Sequence, residues 1–213
     1  FYYKNYIGGN NMGQRSQIFV RYNKEEGKKH IIARYYQWNF AERMISRARY
    51  GMGWIHQMVK EFPNYYIPSL EEKLYRILDT NFDMIDCVKS TDIIEEYRNE
   101  MSDLYHVLLN AYLFKRQANN DGKLLIDILE DGTLKYAFLD YDNNKIMSGS
   151  EYMRWDLGAK WKIPNEYLDE DDINTCIDNI KSINKLAKKM TKEEVDEYLN
   201  YNYEYSMGFE FTV

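Results

Sequence analysis

The sequence predicts a single α+β domain, a mostly antiparallel sheet packed against several helices. Three observations point there. Runs rich in β-branched and aromatic residues, separated by turn residues, stand towards both ends of the chain, whereas the middle repeats apolar residues every three to four positions. At 213 residues the chain suits one core, because folding at this size buries roughly 70% of the unfolded surface. No internal repeat, low-complexity tract or linker divides it.

Taken in order, residues 17–22 and 30–38 flank the turn-like Asn23-Lys24-Glu25-Glu26-Gly27 and read as a hairpin. Residues 41–60 change to a helical period, with Met44, Ala48, Met52, Ile55 and Val59 on one face. Gly51 and Gly53 weaken that helix by about 1 kcal/mol each relative to alanine, so close packing or a local break is expected there. Pro63 and Pro68 bound a loop, and Ser69 with Glu72 forms a capping box opening a second helix that buries Leu70, Leu74, Ile77 and Leu78. Ile94, Tyr97, Met101, Leu104, Leu108 and Ala111 give a third helical region over 91–114.

Strands at 123–129, 134–139 and 145–147, turning at Asp131-Gly132 and at residues 140–144, read as an antiparallel meander. Asp169-Glu170-Asp171-Asp172 puts negative charge at the start of a helix carrying Ile173, Ile177, Ile180, Ile183 and Ala187. Thr191 and Glu194 form another capping box for a short helix ending near Asn200. From 201 to 213, aromatic and apolar residues hold the odd positions, which predicts a half-buried terminal strand.

Residues 1–11 read as an extension derived from untranslated leader, with the domain occupying 12–213. Phe1 to Ile7 uses only residue types that have codons made wholly of A and U. The stretch from Ile7 can be back-translated as AUA GGA GGU AAU AAU AUG, a purine-rich ribosome-binding sequence before a start at Met12. Cys87 and Cys176 are far apart and match no metal or redox spacing, so they read as buried thiols of a reducing compartment. With no apolar run approaching the ~20 residues of a membrane span, a cytoplasmic protein without membrane contact is expected.

The net charge is −6, unevenly distributed. Residues 1–62 carry 11 Lys or Arg against 4 Asp or Glu, and the remainder 17 against 30. An acidic chain is a poor general nucleic-acid binder, although one basic face can still meet phosphates. Glycine-rich phosphate loops, His-Glu-x-x-His and Gly-x-Ser-x-Gly are all missing, and His30, His56 and His106 show no metal-ligand spacing. No catalytic residue is assigned, and the balance leans away from an enzyme.

Two constellations remain. Arg43, Arg47, Tyr50 and Trp54 follow an i, i+4, i+7, i+11 spacing that aligns them along one side of the first helix. Guanidinium groups beside flat rings grip phosphates, stack on bases or anchor protein interfaces. Asp140, Asp142, Asn144, Ser148 and Glu151 fall at positions 1, 3, 5, 9 and 12 of an EF-hand calcium loop. Lys145 stands where that loop needs glycine, and the flanks read as strands, so an Asx-bonded hairpin turn competes with calcium as the explanation.

Met12-Gly13-Gln14-Arg15-Ser16-Gln17-Ile18, with Tyr36-Gln37-Trp38-Asn39 and Arg43-Met44-Ile45-Ser46-Arg47-Ala48-Arg49, resembles the opening of uncharacterised small proteins of low-GC bacteria and their phages. The resemblance covers the first quarter of the chain and transfers no activity. It implies a mobile-element origin, from which follows the expectation of a non-catalytic protein-binding module, an inhibitor of a host defence protein in its narrowest form. The expected partner is a host or phage protein, with nucleic acid second, and the chain itself is a monomer or homodimer. The alternatives are an enzyme of unfamiliar type built on Arg, Tyr and carboxylate groups, and a nucleic-acid binder using the basic first helix.

Overall fold

A computed structural model of the chain describes residues 15–25, 28–37, 39–61, 67–80, 91–92, 114, 120–165, 167–201 and 203. The elements are β1 (Arg15–Glu25), β2 (Lys28–Gln37), α1 (Ala41–Glu61), α2 (Ile67–Asp79), β3 (Thr91–Asp92), β4 (Lys123–Ile128), β5 (Leu134–Leu139), β6 (Ile146–Met147), α3 (Gly149–Leu157), α4 (Glu170–Leu186), β7 (Ala187–Lys189) and α5 (Lys192–Asn200). The α+β reading holds.

The sheet runs β3-β2-β1-β4-β5-β6, and β7 also pairs with β5. Both local units form as their sequences dictate. β1 and β2 make the hairpin, β1 longer at both ends and β2 starting two residues earlier than the residue pattern indicates, and β4, β5 and β6 make the meander. Gly132 closes the β4–β5 turn at φ +79°, where an added Cβ would lie 2.5 Å from Val59 Cγ1, so any other residue there would be strained. The sheet is mixed, however, because β1 pairs with β4 in parallel, as does β5 with β7. Parallel pairing joins segments distant in sequence, and local periodicity carries no record of it.

Alternation along the strands builds two cores. Ile18, Val20, Tyr22, Leu124, Ile126, Tyr136 and Phe138 face α1, α2, α3 and α4. Phe19, Leu125, Ala137 and Leu139 face Phe114, Val195, Tyr198 and Tyr203 on the opposite side, where α5 packs. On α1, Met44, Ala48, Met52, Ile55 and Val59 are all buried, the larger four each contributing about 1.5–3 kcal/mol where burial is complete. The helix runs unbroken through Gly51 and Gly53. A methyl group at either would meet only ordinary contacts, 4.0 Å from Ile77 and 3.8 Å from Leu186.

Elsewhere the structure revises several boundaries. α2 begins at Ile67, so Pro68 lies in its first turn, where a missing N–H costs no intrahelical bond. Thr91 and Asp92 form a strand beside Arg34 and Tyr35, in place of the start of a helix. The rest of that predicted helix, apart from buried Phe114, lies outside the described residues. α4 stops at Leu186, and Ala187, assigned to it by period, is buried as the first residue of β7. Helix α3 is an element that the periodicity does not predict, although Ser148 and Glu151 give it a complete capping box. The capping boxes of α4 and α5 are Asp169 with Asp172 and Thr191 with Glu194. Tyr201 and Tyr203 are irregular, whereas the remainder of the alternating tail and residues 1–11 lie outside the described residues.

One charged pair interrupts the second core. Arg21 on β1 and Asp127 on β4 are register partners across the parallel seam. The guanidinium donates from Nε to Oδ1 at 2.8 Å and from Nη2 to Oδ2 at 2.6 Å, with both residues buried. Its Nη1 reaches Glu197 of α5 at 2.6 Å, and its centre stands 4.4 Å from the Tyr198 ring. Lys29 also donates to Glu197, and Lys135 to Glu194. Burial works to raise the Glu197 carboxyl, but hydrogen bonds from Arg21 and Lys29 outweigh it and hold the group below its ordinary range. Replacing Arg21 by Met leaves Asp127 buried without its cation and should cost about 3–5 kcal/mol in urea unfolding, whereas the Arg21→Met, Asp127→Leu double variant should recover most of that loss.

Candidate functional site: a groove between the first two helices

The predicted stripe on α1 divides between inside and outside. Arg47 is buried at 2% exposure, whereas Trp54, two turns further along, is 54% exposed. Arg43 and Tyr50 are intermediate. Arg47 Nη1 donates to the carbonyls of Leu78 at 3.2 Å and Thr80 at 2.8 Å, which satisfies acceptors at the C-terminal end of α2. Its Nε donates to Asn39 Oδ1, and Asn39 in turn donates to Ser16 Oγ on β1. The guanidinium also sits 4.4 Å from the Tyr36 ring, whose hydroxyl donates to Leu78 O. Arg47 therefore ties α1 to α2, β1 and β2. It presents no guanidinium to a partner.

The other arginines of α1 also have neighbours. Arg43 lies 3.9 Å from a Glu42 carboxylate oxygen, and Arg49 stands 4.3 Å from the centre of the Tyr50 ring. The stripe as aligned by spacing is thus one clamp, Arg47, one exposed ring, Trp54, and two half-buried side chains, Arg43 and Tyr50.

Trp54 instead belongs to a groove of about 440 Å³ between α1 and α2. Trp54, Gln57, Met58 and Glu61 form one wall, and Lys73, Arg76, Ile77 and Thr80 the other. These positions follow from helix geometry, since 54, 58 and 61, like 73, 76, 77 and 80, are three or four residues apart and share a face. Met58 and Ile77 are nearly buried at its floor. Glu61 accepts from Gln57 Nε2 at 2.8 Å, and Arg76 pairs with Glu72, both of those side chains being largely exposed. An apolar floor with a few charged groups along the rim is ordinary ligand-site chemistry. Sequence reasoning reached Trp54 and missed the rest, because Lys73 and Arg76 come to face it only through the pairing of the two helices.

The acidic loop is organised from within. Asp140 is buried, and its Oδ1 accepts from the backbone N–H groups of Asn144 at 2.7 Å and Lys145 at 3.1 Å, an Asx arrangement. The Lys123 ammonium donates to Tyr141 O and Asn143 Oδ1, each at 2.7 Å. Glu151 stands at the start of α3, where its Oε2 accepts from Ser148 N and from Lys189 Nζ. Those hydrogen bonds, that from Lys189 foremost, pull its carboxyl down to about 2. Asp142 and Asn144 are exposed. The described residues contain no group of three or more His, Cys, Asp or Glu side chains placed to hold a metal ion. Cys176 is a buried free thiol, and burial, with Glu42 nearby, pushes it up to about 12, so it carries no thiolate at neutral pH. Cys87 lies outside the described residues.

Compared with protein-family models, curated proteins and solved structures, the chain matches none. Among the described residues no helix is long and apolar enough to cross a membrane.

Two measurements check these placements. Arg47→Met should lower unfolding free energy by at least about 2 kcal/mol through the carbonyls and amide it leaves unpaired, while Trp54→Ala should change it by no more than about 0.5 kcal/mol. In thermal melts, millimolar calcium should leave the midpoint unchanged, whereas Lys123→Met should lower it by several degrees, as loss of a buried hydrogen-bonded cation does in a domain of this size.

Proposed function

We propose that the chain is a non-catalytic protein-binding module whose binding surface is the groove between α1 and α2. The observation that carries this reading is Trp54, 54% exposed at the groove on a helix whose other large apolar side chains, apart from the half-buried Tyr50, are buried. Tryptophan concentrates binding energy at interfaces because it offers a large rigid surface at small entropic cost. The narrower form of the proposal, an inhibitor of a host defence protein carried by a phage or mobile element, rests on the resemblance of the opening segment alone.

Quantitative affinity capture from a low-GC bacterial lysate, with wild type and Trp54→Ala side by side, tests the proposal. The partner recovered by wild type should fall about tenfold or more with the variant, the loss expected for a central interface tryptophan. Equal recovery by both proteins would remove the groove as the surface, and failure of the wild type to retain any specific protein would sink the binding reading itself.

A further inference from the structure

We infer that α5 is an acid-released cover on the second face of the sheet, clasped there by two glutamates whose four oxygens all reach partners. It lies across the sheet from α1 and α2 and so stands apart from the groove. Glu197 bridges two strands, one oxygen accepting from Arg21 Nη1 on β1 at 2.6 Å and the other from Lys29 Nζ on β2 at 3.0 Å. One turn earlier, Glu194 accepts from Lys135 Nζ on β5 through one oxygen and from its own cap, Thr191 N, through the other at 2.9 Å. Three strands thus each send one cation to a single short helix.

The clasp matters because apolar contact by itself does little for this helix. α5 has nine residues, fewer than the ~12–15 at which an isolated helix becomes even marginal in water. Its buried side chains are Val195 and Tyr198, with Leu199 partly covered, and against them stands the ordering of the whole segment. The connection to β7 is pinned at Met190, whose N–H donates to Tyr136 O at 2.8 Å, so α5 can swing from that point while β7 stays in the sheet.

Among the described residues, the charged groups facing the two glutamates from the sheet are Arg21, Lys29 and Lys135, with Asp127 behind Arg21. Lys192, Glu193 and Asp196 on α5 itself are exposed. Tyr198 and Tyr203 stay protonated, because burial above all pushes both phenols up. The Lys135 hydrogen bond foremost holds the Glu194 carboxyl below its ordinary range, and at Glu197 burial works upward but is outweighed by the bonds from Arg21 and Lys29. Both groups ionise more readily folded than unfolded, so the clasp is whole above the ordinary glutamate value of about 4.3 and is lost as pH falls from there through the lower folded values. Neutral glutamates leave three cations around a helix that no longer balances them. Opening uncovers Phe19, Leu125, Ala137 and Leu139, the apolar layer beneath.

Hydrogen exchange of the full chain, with rates corrected for the intrinsic effect of pH, tests this. Between pH 7 and roughly pH 3.5 the amides of residues 195–200 should lose about tenfold more protection than those of α1 or β4. At pH 7 a Glu194→Gln, Glu197→Gln variant, in which glutamine preserves the capping box, should show the same selective loss, with little further change in acid. Protection of α5 that falls only in step with α1 and β4, or a double variant as protected in α5 at pH 7 as wild type, would overturn the inference. Should the double variant unfold throughout, Lys29→Met, which removes the β2 partner of Glu197, should still speed exchange in α5 about threefold at pH 7. An unchanged rate there would overturn it equally.

Discussion

The parallel seam between β1 and β4 is the constraint on which the rest of the molecule depends. The hairpin and the meander each hold themselves together through local antiparallel pairing, but neither buries both of its faces alone. Gln17 through Arg21 in register with Lys123 through Asp127 joins them into one sheet. At one end of this register Arg21 meets Asp127, and a buried bidentate pair is intolerant of slippage, since a shift of one residue would strand two charges in an apolar layer. The same guanidinium then reaches Glu197, so the pair that sets strand register also sets where α5 lies.

A second buried arginine works in the same manner on the opposite face. Arg47 collects the end of α2, the Asn39 amide and the Tyr36 ring around one guanidinium, whose planar fork makes several hydrogen bonds at once. Fixing the C-terminal end of α2 against α1 at Arg47 leaves the two helices side by side further along, where Trp54, Met58, Lys73, Arg76 and Ile77 line the groove. The clamp and the groove are two stretches of one helix–helix junction. A substitution at Arg47 that reduced partner binding would therefore act through position, without the arginine touching the partner.

The charge asymmetry acquires a spatial meaning here. Two of the basic residues in the first part of the chain, Arg21 and Arg47, are spent internally. Of those around the groove, Lys73 and Arg76 come from the acidic remainder. A count of charge along the chain therefore does not say which cations reach the surface, because folding sorts side chains by depth and sequence blocks do not.

The sequence by itself determined the local units. Alternation specified the hairpin and meander, helical period specified the buried faces of α1, α2 and α4, and Asp169 with Asp172 and Thr191 with Glu194 marked two helix starts, because each of these signals acts between residues a few positions apart. Ser148 with Glu151 gave an equally local signal for α3, obscured by its coincidence with calcium-loop spacing. Tertiary structure alone decided that β1 and β4 run parallel, that Arg47 turns inward while Trp54 turns outward, and that Lys73 and Arg76 stand opposite that ring. Those outcomes depend on which faces meet across long stretches of chain, where burial and hydrogen-bond satisfaction, rather than spacing, choose the arrangement.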